Sequence, residues 1–202
     1  MQKCKLCDND IYNGGILHYL FSDDNLCFKC RSSLVYKPIH IKLDQYNIYS
    51  LYLYNDAFQS LIIQYKECYD EYLYDTFLYK YKFSLWLRYY GYKVVLVPSS
   101  NEKLSQRGFN HLYKIFKELN LEIIDILYKK QDVELKKLNF KNRKIESDLF
   151  GIKDDVVLPD KILLVDDIIT SGSSIIACAN LLKNAKKVKI LTISYNKIYE
   201  KK

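Results

Sequence analysis

The sequence predicts an α/β fold: a mostly parallel sheet flanked by helices, preceded by a small cysteine-containing module. Two observations predict this organisation. Two Cys-x-x-Cys pairs lie in residues 1–36, and after Pro38 segments typical of strands alternate with segments typical of helices. Such alternation is typical of a parallel sheet that is covered on both faces. We therefore expect a cysteine module over 1–36 and an α/β domain over 37–202.

The composition is that of a folded protein rather than of a disordered or membrane-spanning one. The chain has 202 residues, of which 49% are hydrophobic, which is enough for one domain and a small appendage. No segment approaches the roughly 18 consecutive apolar residues of a membrane span, and the first residues lack the apolar run of a signal peptide. We expect a cytoplasmic protein that is not integral to a membrane. Its cysteines should then be metal ligands or buried thiols rather than disulfides.

The four cysteines of the first segment have the spacing of a zinc site. Cys4 and Cys7 form one pair, Cys27 and Cys30 form the other, and nineteen residues separate the pairs. A two-residue gap lets one turn present both sulfurs to the same metal ion, and four thiolates complete a tetrahedral Zn²⁺ site. A redox dithiol would need only one pair. The spacing predicts a structural Zn²⁺ with no open position for catalysis.

Local signals predict the strands and helices. Asn55 or Asp56 can cap a helix, Gly91 can end one, and Pro98 stops a strand. The predicted elements are, in order, a strand over 48–54, a helix to about 66, a helix over 70–90, a strand over 93–97, a helix over 108–119, a strand over 122–128, a strand over 161–165, a helix over 173–183 and a strand over 187–195. Residues 129–150 are polar, basic and aperiodic, and they are predicted to form a long flexible loop or an irregular hairpin.

Positive charge is concentrated in two segments. The net charge is +7, while residues 129–144 carry a local +5 and residues 183–202 a local +6. Such segments on an otherwise acidic body favour an anionic partner, which includes nucleic acid. An AT-rich genome, which enriches Lys, Ile, Asn and Tyr, explains the same composition without a partner. Thirteen of the twenty tyrosines fall between Tyr46 and Tyr92, and we expect most of these in the core rather than stacked on bases.

The segment 161–174 combines an apolar strand, two carboxylates and a hydroxyl-rich turn. Its polar residues are Asp166, Asp167, Thr170, Ser171, Gly172, Ser173 and Ser174. Free N–H groups at a helix start, together with hydroxyl groups, form an anion site. The carboxylates are suited to bind ribose hydroxyls, or to lie near a Mg²⁺ ion chelated by a diphosphate. The segment therefore predicts a site for a sugar phosphate.

Two other interpretations of this segment are less well supported. An apolar strand followed by Asp-Asp also occurs in P-loop ATPases, but none of the six glycines lies in a G-x-x-x-x-G-K-[ST] sequence. A capped helix start without a ligand needs one hydroxyl residue, whereas this turn has four hydroxyl residues and a glycine in five positions.

The stretch from Asp166 to Ser174 closely resembles the motif that binds phosphoribosyl pyrophosphate (PRPP) in type I phosphoribosyltransferases. With the four-cysteine module in front, the chain resembles the ComF family of competence-associated proteins. Two further segments support the likeness: 97–110, which carries Arg107 in a Gln-Arg-Gly-Phe-Asn sequence, and 65–70, which carries Lys66. The resemblance implies a type I phosphoribosyltransferase-like fold with an N-terminal zinc module.

The resemblance also implies residue roles. Asp166 and Asp167 would meet the ribose hydroxyls, as the catalytic pair if the chain is an enzyme, and residues 170–174 would bind the 5-phosphate of PRPP. Lys66 and Arg107 are candidates for contact with the diphosphate of PRPP, which would carry a chelated Mg²⁺. The corresponding reaction is a pentosyl transfer, in which a nucleophile displaces pyrophosphate from C1. The residues leave open whether this chain catalyses it.

By the same resemblance the chain is a competence factor in natural transformation, acting in the cytoplasm or at the inner face of the membrane as DNA enters. The implied partners are PRPP or a related ribose 5-phosphate, single-stranded DNA and proteins of the DNA-uptake machinery. Two alternatives stay open: a nucleotide-salvage phosphoribosyltransferase with an unknown acceptor, and a non-catalytic, zinc-containing nucleic-acid-binding adaptor. No base-recognition pattern in the sequence selects among the three.

Overall fold

The computed structural model describes residues 3–11, 24–130 and 149–201. Most of the predicted basic loop, residues 131–148, lies outside this description, and so does much of the segment between the two cysteine pairs. Among the described residues, none of the helices has the length and apolar character needed to cross a bilayer.

Strands and helices are interspersed after the cysteine module. The α-helices are α1 (Phe28–Ser33), α2 (Asp56–Lys66), α3 (Lys82–Arg88), α4 (Asn101–Arg107), α5 (His111–Phe116) and α6 (Ser173–Leu181). The strands are β1 (Tyr36–Leu43), β2 (Tyr46–Leu53), β3 (Lys93–Leu96), β4 (Ile123–Ile124), β5 (Leu127–Lys129), β6 (Phe150–Ile152), β7 (Lys161–Ile169) and β8 (Lys187–Tyr195). Short 3₁₀ helices span Glu71–Thr76, Lys117–Leu119 and Lys197–Lys201.

A six-stranded sheet with the order β1-β2-β8-β7-β3-β4 forms the centre of the protein. Strands β2, β8, β7, β3 and β4 run parallel, and β1 pairs with β2 in the antiparallel sense. The β7 residues Ile162, Leu163, Leu164 and Val165 are all fully buried, as expected for a parallel strand with both faces covered. The predicted fold class, a mostly parallel sheet flanked by helices behind a four-cysteine module, is confirmed.

The region 70–90 differs from the single helix predicted there. It forms the 3₁₀ helix Glu71–Thr76, a turn and the short helix α3. Leu73 and Phe77 are buried, and so are Leu85 and Tyr89. At about 100° per residue a continuous helix would point these two pairs about 120° apart, so the chain must break to bury both.

The edge strand β1 was not predicted. Pro38 lies in it at a register shift between Tyr36 and Ile39. Proline cannot donate a hydrogen bond to a neighbouring strand, and edge strands and bulges are the places where a sheet tolerates it. The predicted strand 122–128 instead divides into β4 in the main sheet and β5, which pairs with β6 in a separate antiparallel ribbon.

Helix α4 is a further element that was not predicted. The Ser100 side chain caps it by accepting a hydrogen bond from the N–H of Lys103, and the helix ends at Gly108, which has φ +75°. Asn110 then caps α5 by accepting from the N–H of Tyr113. The predicted helix 108–119 therefore starts three residues later, because the left-handed glycine ends one helix before the next begins.

Candidate functional site

The two adjacent carboxylates lie inside β7 rather than beyond its end. The strand runs four residues further than predicted, and Asp166, Ile168 and Ile169 continue to pair with β8. Successive side chains of a strand point to opposite faces. The two carboxylates therefore meet different surroundings: Asp166 borders a cavity with Ile168, while Asp167 is buried on another side.

Asp167 joins three sequence segments in one network. Its Oδ2 atom contacts Nε2 of His111 at 2.8 Å and forms an ion pair with Nζ of Lys66. Arg107 completes the network, since its Nε donates to the carbonyl of Lys66 at 3.0 Å and its Nη1 lies 3.0 Å from Nδ1 of His111. The hydroxyl of Tyr65 donates to the carbonyl of His111. The structure thus brings together Lys66, Arg107 and Asp167, which are far apart in the sequence.

His111 is the member of this network that the sequence did not single out. An arginine can only donate hydrogen bonds, so Nδ1 of His111 must accept from Arg107, and the ring proton lies on Nε2, which donates to Asp167. Burial lowers the pKa of His111 and keeps it neutral, against the opposing effect of Asp167. The one sequence feature that could have pointed to His111 is its position four residues after Arg107, beyond the glycine that ends α4.

The environment sets the pKa values of the two carboxyl groups apart. Burial raises the pKa of Asp167, but the Lys66 ammonium and the His111 N–H outweigh burial and leave the pKa below its usual range. Burial also raises the pKa of Asp166, and the charge of Asp167 raises it further. The pair therefore has one carboxylate that stays ionised and one that holds a proton more tightly than an ordinary aspartate.

The turn after β7 exposes hydroxyl groups around a left-handed glycine. Gly172 has φ +80° and precedes the first turn of α6. The Ser171 and Ser173 hydroxyls lie 2.8 Å apart, and the N–H of Ser173 points to the Ser171 hydroxyl at 3.3 Å. The hydroxyl of Tyr199 fixes the turn by donating to the carbonyl of Thr170 at 2.6 Å.

A small cavity of about 50 Å³ lies beside this turn, bordered by Asp166, Thr192 and residues 168–175. The N–H groups of Ser174 and Ile175 belong to the first turn of α6, where a helix offers no acceptor of its own. The Thr192 hydroxyl is buried and makes no hydrogen bond among the described residues. Donors without partners therefore surround a space of the size of one small polar group, and a phosphate group fits this donor set.

A larger cavity of about 770 Å³ opens at the carboxyl end of β3. Its apolar walls include Leu96, Leu104 and Ile124, and its polar lining includes Ser99 and Asn110. Leu96 pairs with Val165 of β7, so this cavity adjoins the strand that carries Asp166. Sequence analysis named the segment around Pro98 but did not predict a cavity.

The four cysteines of the first module converge on one point. Their sulfur atoms all lie within 4.8 Å of one another, and the Cys7 and Cys27 sulfurs are 3.7 Å apart. Zn–S bonds of about 2.3 Å in a tetrahedron give sulfur separations of roughly 3.8 Å. Burial raises the pKa of Cys4, but backbone N–H groups, first that of Cys27, bring it down to about 7, which favours a thiolate. The geometry and the donors fit a tetrahedral metal ion.

The cysteine module docks on the 3₁₀ helix Glu71–Thr76. Arg31 binds both oxygens of Asp24, at 2.8 and 2.6 Å, and donates to the carbonyl of Thr76 at 2.8 Å. Lys5 forms an ion pair with Asp75 at 2.9 Å. Because Arg31 is buried and each of its three nitrogens donates a hydrogen bond, the described residues of the module, 3–11 and 24–36, are held against the domain beside the cysteine cluster.

No protein-family model matches the chain, and no curated protein matches it significantly. Several solved structures do, and they are phosphoribosyltransferases. A hypoxanthine phosphoribosyltransferase from Staphylococcus aureus matches with a TM-score of 0.37 and 14% identity over 59% of this chain and 61% of that chain. A hypoxanthine-guanine phosphoribosyltransferase from Bacillus anthracis matches with a TM-score of 0.35 and 13% identity over 59% and 64%, respectively. An adenine phosphoribosyltransferase from Rhodothermus marinus matches with a TM-score of 0.36 and 12% identity over 83% and 98%. The chain spans about three fifths of the length of the first two, and similarities this low leave substrate and activity to the geometry of the site.

Proposed function

We propose that this chain binds PRPP or a related ribose 5-phosphate at the carboxyl ends of β7 and β3. The observation that carries the proposal is the cavity in which the Asp166 carboxyl, the buried Thr192 hydroxyl and the turn 170–174 converge. The turn amides and hydroxyls bind the 5-phosphate, and Asp166 accepts hydrogen bonds from the ribose hydroxyls. Asp167 acts beside it as the ionised member of the pair. The larger cavity next to β3 provides room for the rest of the ligand.

Lys66 and Arg107 have different proposed roles at the end of the site that would bind the diphosphate. The Arg107 side chain is only 7% exposed, and its donors are engaged with Lys66 and His111. We therefore assign Arg107 a positioning role and assign the diphosphate contact to Lys66, whose side chain is 19% exposed. The network of Arg107, His111 and Asp167 holds the Lys66 ammonium beside Asp167, the chain neighbour of Asp166.

If the chain is an enzyme, it transfers the phosphoribosyl group. The bond between C1 and the diphosphate oxygen breaks, the diphosphate leaves with the electron pair, and the acceptor nucleophile forms the new bond to C1. The transition state carries positive charge on the sugar, so catalysis requires that both ends of PRPP be held while this charge develops. In such a reaction Asp166 and Asp167 would stabilise that charge electrostatically, and a Mg²⁺ ion chelated by the diphosphate would neutralise the leaving group.

We further propose that the four cysteines hold a structural Zn²⁺ and that the chain serves as a competence factor which handles single-stranded DNA, as the family resemblance implies. The cysteine geometry supports the metal, and basic segments support an anionic polymer. The second candidate is a salvage phosphoribosyltransferase. The 770 Å³ cavity favours it, because an acceptor base needs apolar walls with a few polar groups beside C1.

Calorimetry with PRPP, with and without Mg²⁺, tests the binding proposal. We expect saturable binding by the wild type at a pH above the raised Asp166 pKa of about 8, where this carboxyl is ionised. Binding by Asp166→Asn should be at least tenfold weaker there, because the ribose hydroxyls lose a charged acceptor. Asp160→Asn is the matched control, since this exposed aspartate precedes the same strand and pairs with Lys186 instead. Absence of PRPP binding by the wild type with Mg²⁺ would refute the proposal, and equal losses in both variants would refute the assigned site.

Two further assays distinguish the salvage transferase from the competence factor. Pyrophosphate release from PRPP that requires a nucleobase supports the salvage transferase. Loss of transformation in a deletion strain that still grows on salvaged bases supports the competence factor and argues against the transferase.

A further inference from the structure

A third concave surface lies at the amino end of β8. This cleft has a volume of about 300 Å³, and its lining includes His40, Tyr49, Arg88, Lys187 and Lys189. None of its lining residues carries a carboxylate, and amide and tyrosine side chains supply the remaining polar groups. The cleft belongs to a different part of the molecule from the phosphate-binding turn, which follows the carboxyl end of β7.

Two of its cations, Arg88 and Lys189, lie against aromatic rings, and no ion pair neutralises Arg88, Lys187 or Lys189 among the described residues. Within residues 3–11, 24–130 and 149–201, no salt bridge includes Arg88, Lys187 or Lys189. Instead, the Arg88 guanidinium lies 4.0 Å from the centre of the Tyr49 ring, and Lys189 lies 5.7 Å from that of Tyr89. A ring face holds a cation in position but does not cancel its charge. The cleft therefore presents preorganised positive charge to a ligand.

We propose that this cleft binds a single-stranded nucleic acid, with backbone phosphates at Arg88, Lys187 and Lys189. The volume admits about one nucleotide at a time, and a concave surface excludes a flat bilayer and a duplex. Tyr46 and His40 at the rim offer planar groups for a base. This inference goes beyond the phosphoribosyl function, does not depend on it, and gives the proposed DNA partner a location.

The surrounding charge favours a polymer over a single small anion. Lys187 and Lys189 belong to the segment 183–202, which contains seven lysines and one glutamate. A long anion gains from every cation along its path through released counterions, whereas a small anion gains only from those in the cleft. A phosphodiester chain that crosses the amino end of β8, past Lys187 and Lys189, meets this arrangement, since the strand is buried from Ile190 onward.

Fluorescence anisotropy of the full chain with fluorescein-labelled dT20, at several salt concentrations, tests the proposal. The cleft variant Arg88→Gln/Lys187→Gln/Lys189→Gln should bind at least tenfold more weakly. The slope of log affinity against log salt should fall by about 2, because each phosphate contact to a single strand contributes about 0.7. The control Lys29→Gln/Lys82→Gln/Lys103→Gln removes three exposed charges outside the segment 183–202 and should lose less than threefold.

Equal losses in both triple variants, or an unchanged slope in the cleft variant, would overturn the proposal. Loss of binding to phosphatidylserine vesicles without loss of dT20 binding would overturn it in favour of a lipid surface. PRPP calorimetry on the cleft variant should give the wild-type affinity, which separates the two sites. Cleft-dependent dT20 binding by a chain that never binds PRPP would refute only the phosphoribosyl proposal. If the triple variant does not fold, the exposed single change Lys187→Glu replaces it and should weaken dT20 binding at least fivefold.

Discussion

Lys66→Met isolates the contribution of the Lys66–Asp167 ion pair to stability. The variant keeps most of the apolar stem of the lysine side chain but removes its charge, so Asp167 stays buried with His111 as its remaining partner. In the wild type the lowered pKa of Asp167 means that this carboxylate stabilises the fold above about pH 4 and loses that contribution as the pH falls through its folded pKa. Without the lysine, burial instead favours the protonated form.

The magnitude follows from the burial of the two partners. Their side chains are 19% and 8% exposed, so the pair lies between a surface pair, worth at most about 1 kcal/mol, and a buried pair, whose disruption costs about 3–5 kcal/mol. We expect Lys66→Met to lower the free energy of unfolding by about 2–3 kcal/mol at pH 7. With a urea m-value of about 2–3 kcal/mol/M, the midpoint falls by about 1 M.

Urea denaturation without ligand at pH 7 and at pH 4.5 measures this effect. The loss should shrink at the lower pH, because Asp167 of the variant then takes up a proton in the folded state. Lys82→Met, at an exposed lysine, should change the midpoint little, and Lys66→Met/Asp167→Asn should regain about half of the loss, because no charge is left buried. A loss below about 0.5 kcal/mol, or an equal loss at both pH values, would contradict the structure of the network.

Three further changes test other parts of the site. Asp166→Asn should stabilise the unliganded chain, because the raised pKa of Asp166 makes ionisation of the wild-type carboxyl destabilising. The gain should grow as the pH rises above about 4 and reach about 1–2 kcal/mol near pH 8. Thermal unfolding at several pH values measures it. Gly172→Ala should cost about 1–2 kcal/mol and weaken PRPP binding, because φ is +80°, whereas Ser174→Ala should leave the unfolding midpoint nearly unchanged. Cys27→Ser should remove the metal found by elemental analysis of the wild type and make residues 1–36 sensitive to limited proteolysis.

Local chemistry made the cysteine cluster and the hydroxyl-rich turn before α6 predictable. The spacing of Cys4, Cys7, Cys27 and Cys30 is typical of paired metal-binding turns, and the four sulfurs do converge. The strand β8 was predicted with its observed bounds, because a run of apolar residues between lysines leaves little choice of ends. The Asn55 cap of α2 was equally visible in the sequence.

Cooperative packing decided the features that sequence analysis missed. The continuation of β7 to Ile169 depends on pairing with β8, and no pattern within the segment shows whether a strand with two aspartates remains paired. The break in the region 70–90 arises because Leu73 and Leu85 are both buried in the core, which a single continuous helix does not allow. Strand ends and helix breaks of this kind depend on contacts between distant segments, which no local sequence pattern shows.

The sequence by itself determined the fold class, the four clustered cysteines and the hydroxyl-rich turn after β7, because each follows from patterns within short segments of the chain. Only the tertiary structure decided the state of the carboxylate pair. His111 lies 56 residues from Asp167, and Lys66 reaches the same oxygen from a different helix. Contacts across such distances arise when helices pack on a sheet, and this packing leaves one aspartate ionised inside the network and places the other beside the cavity.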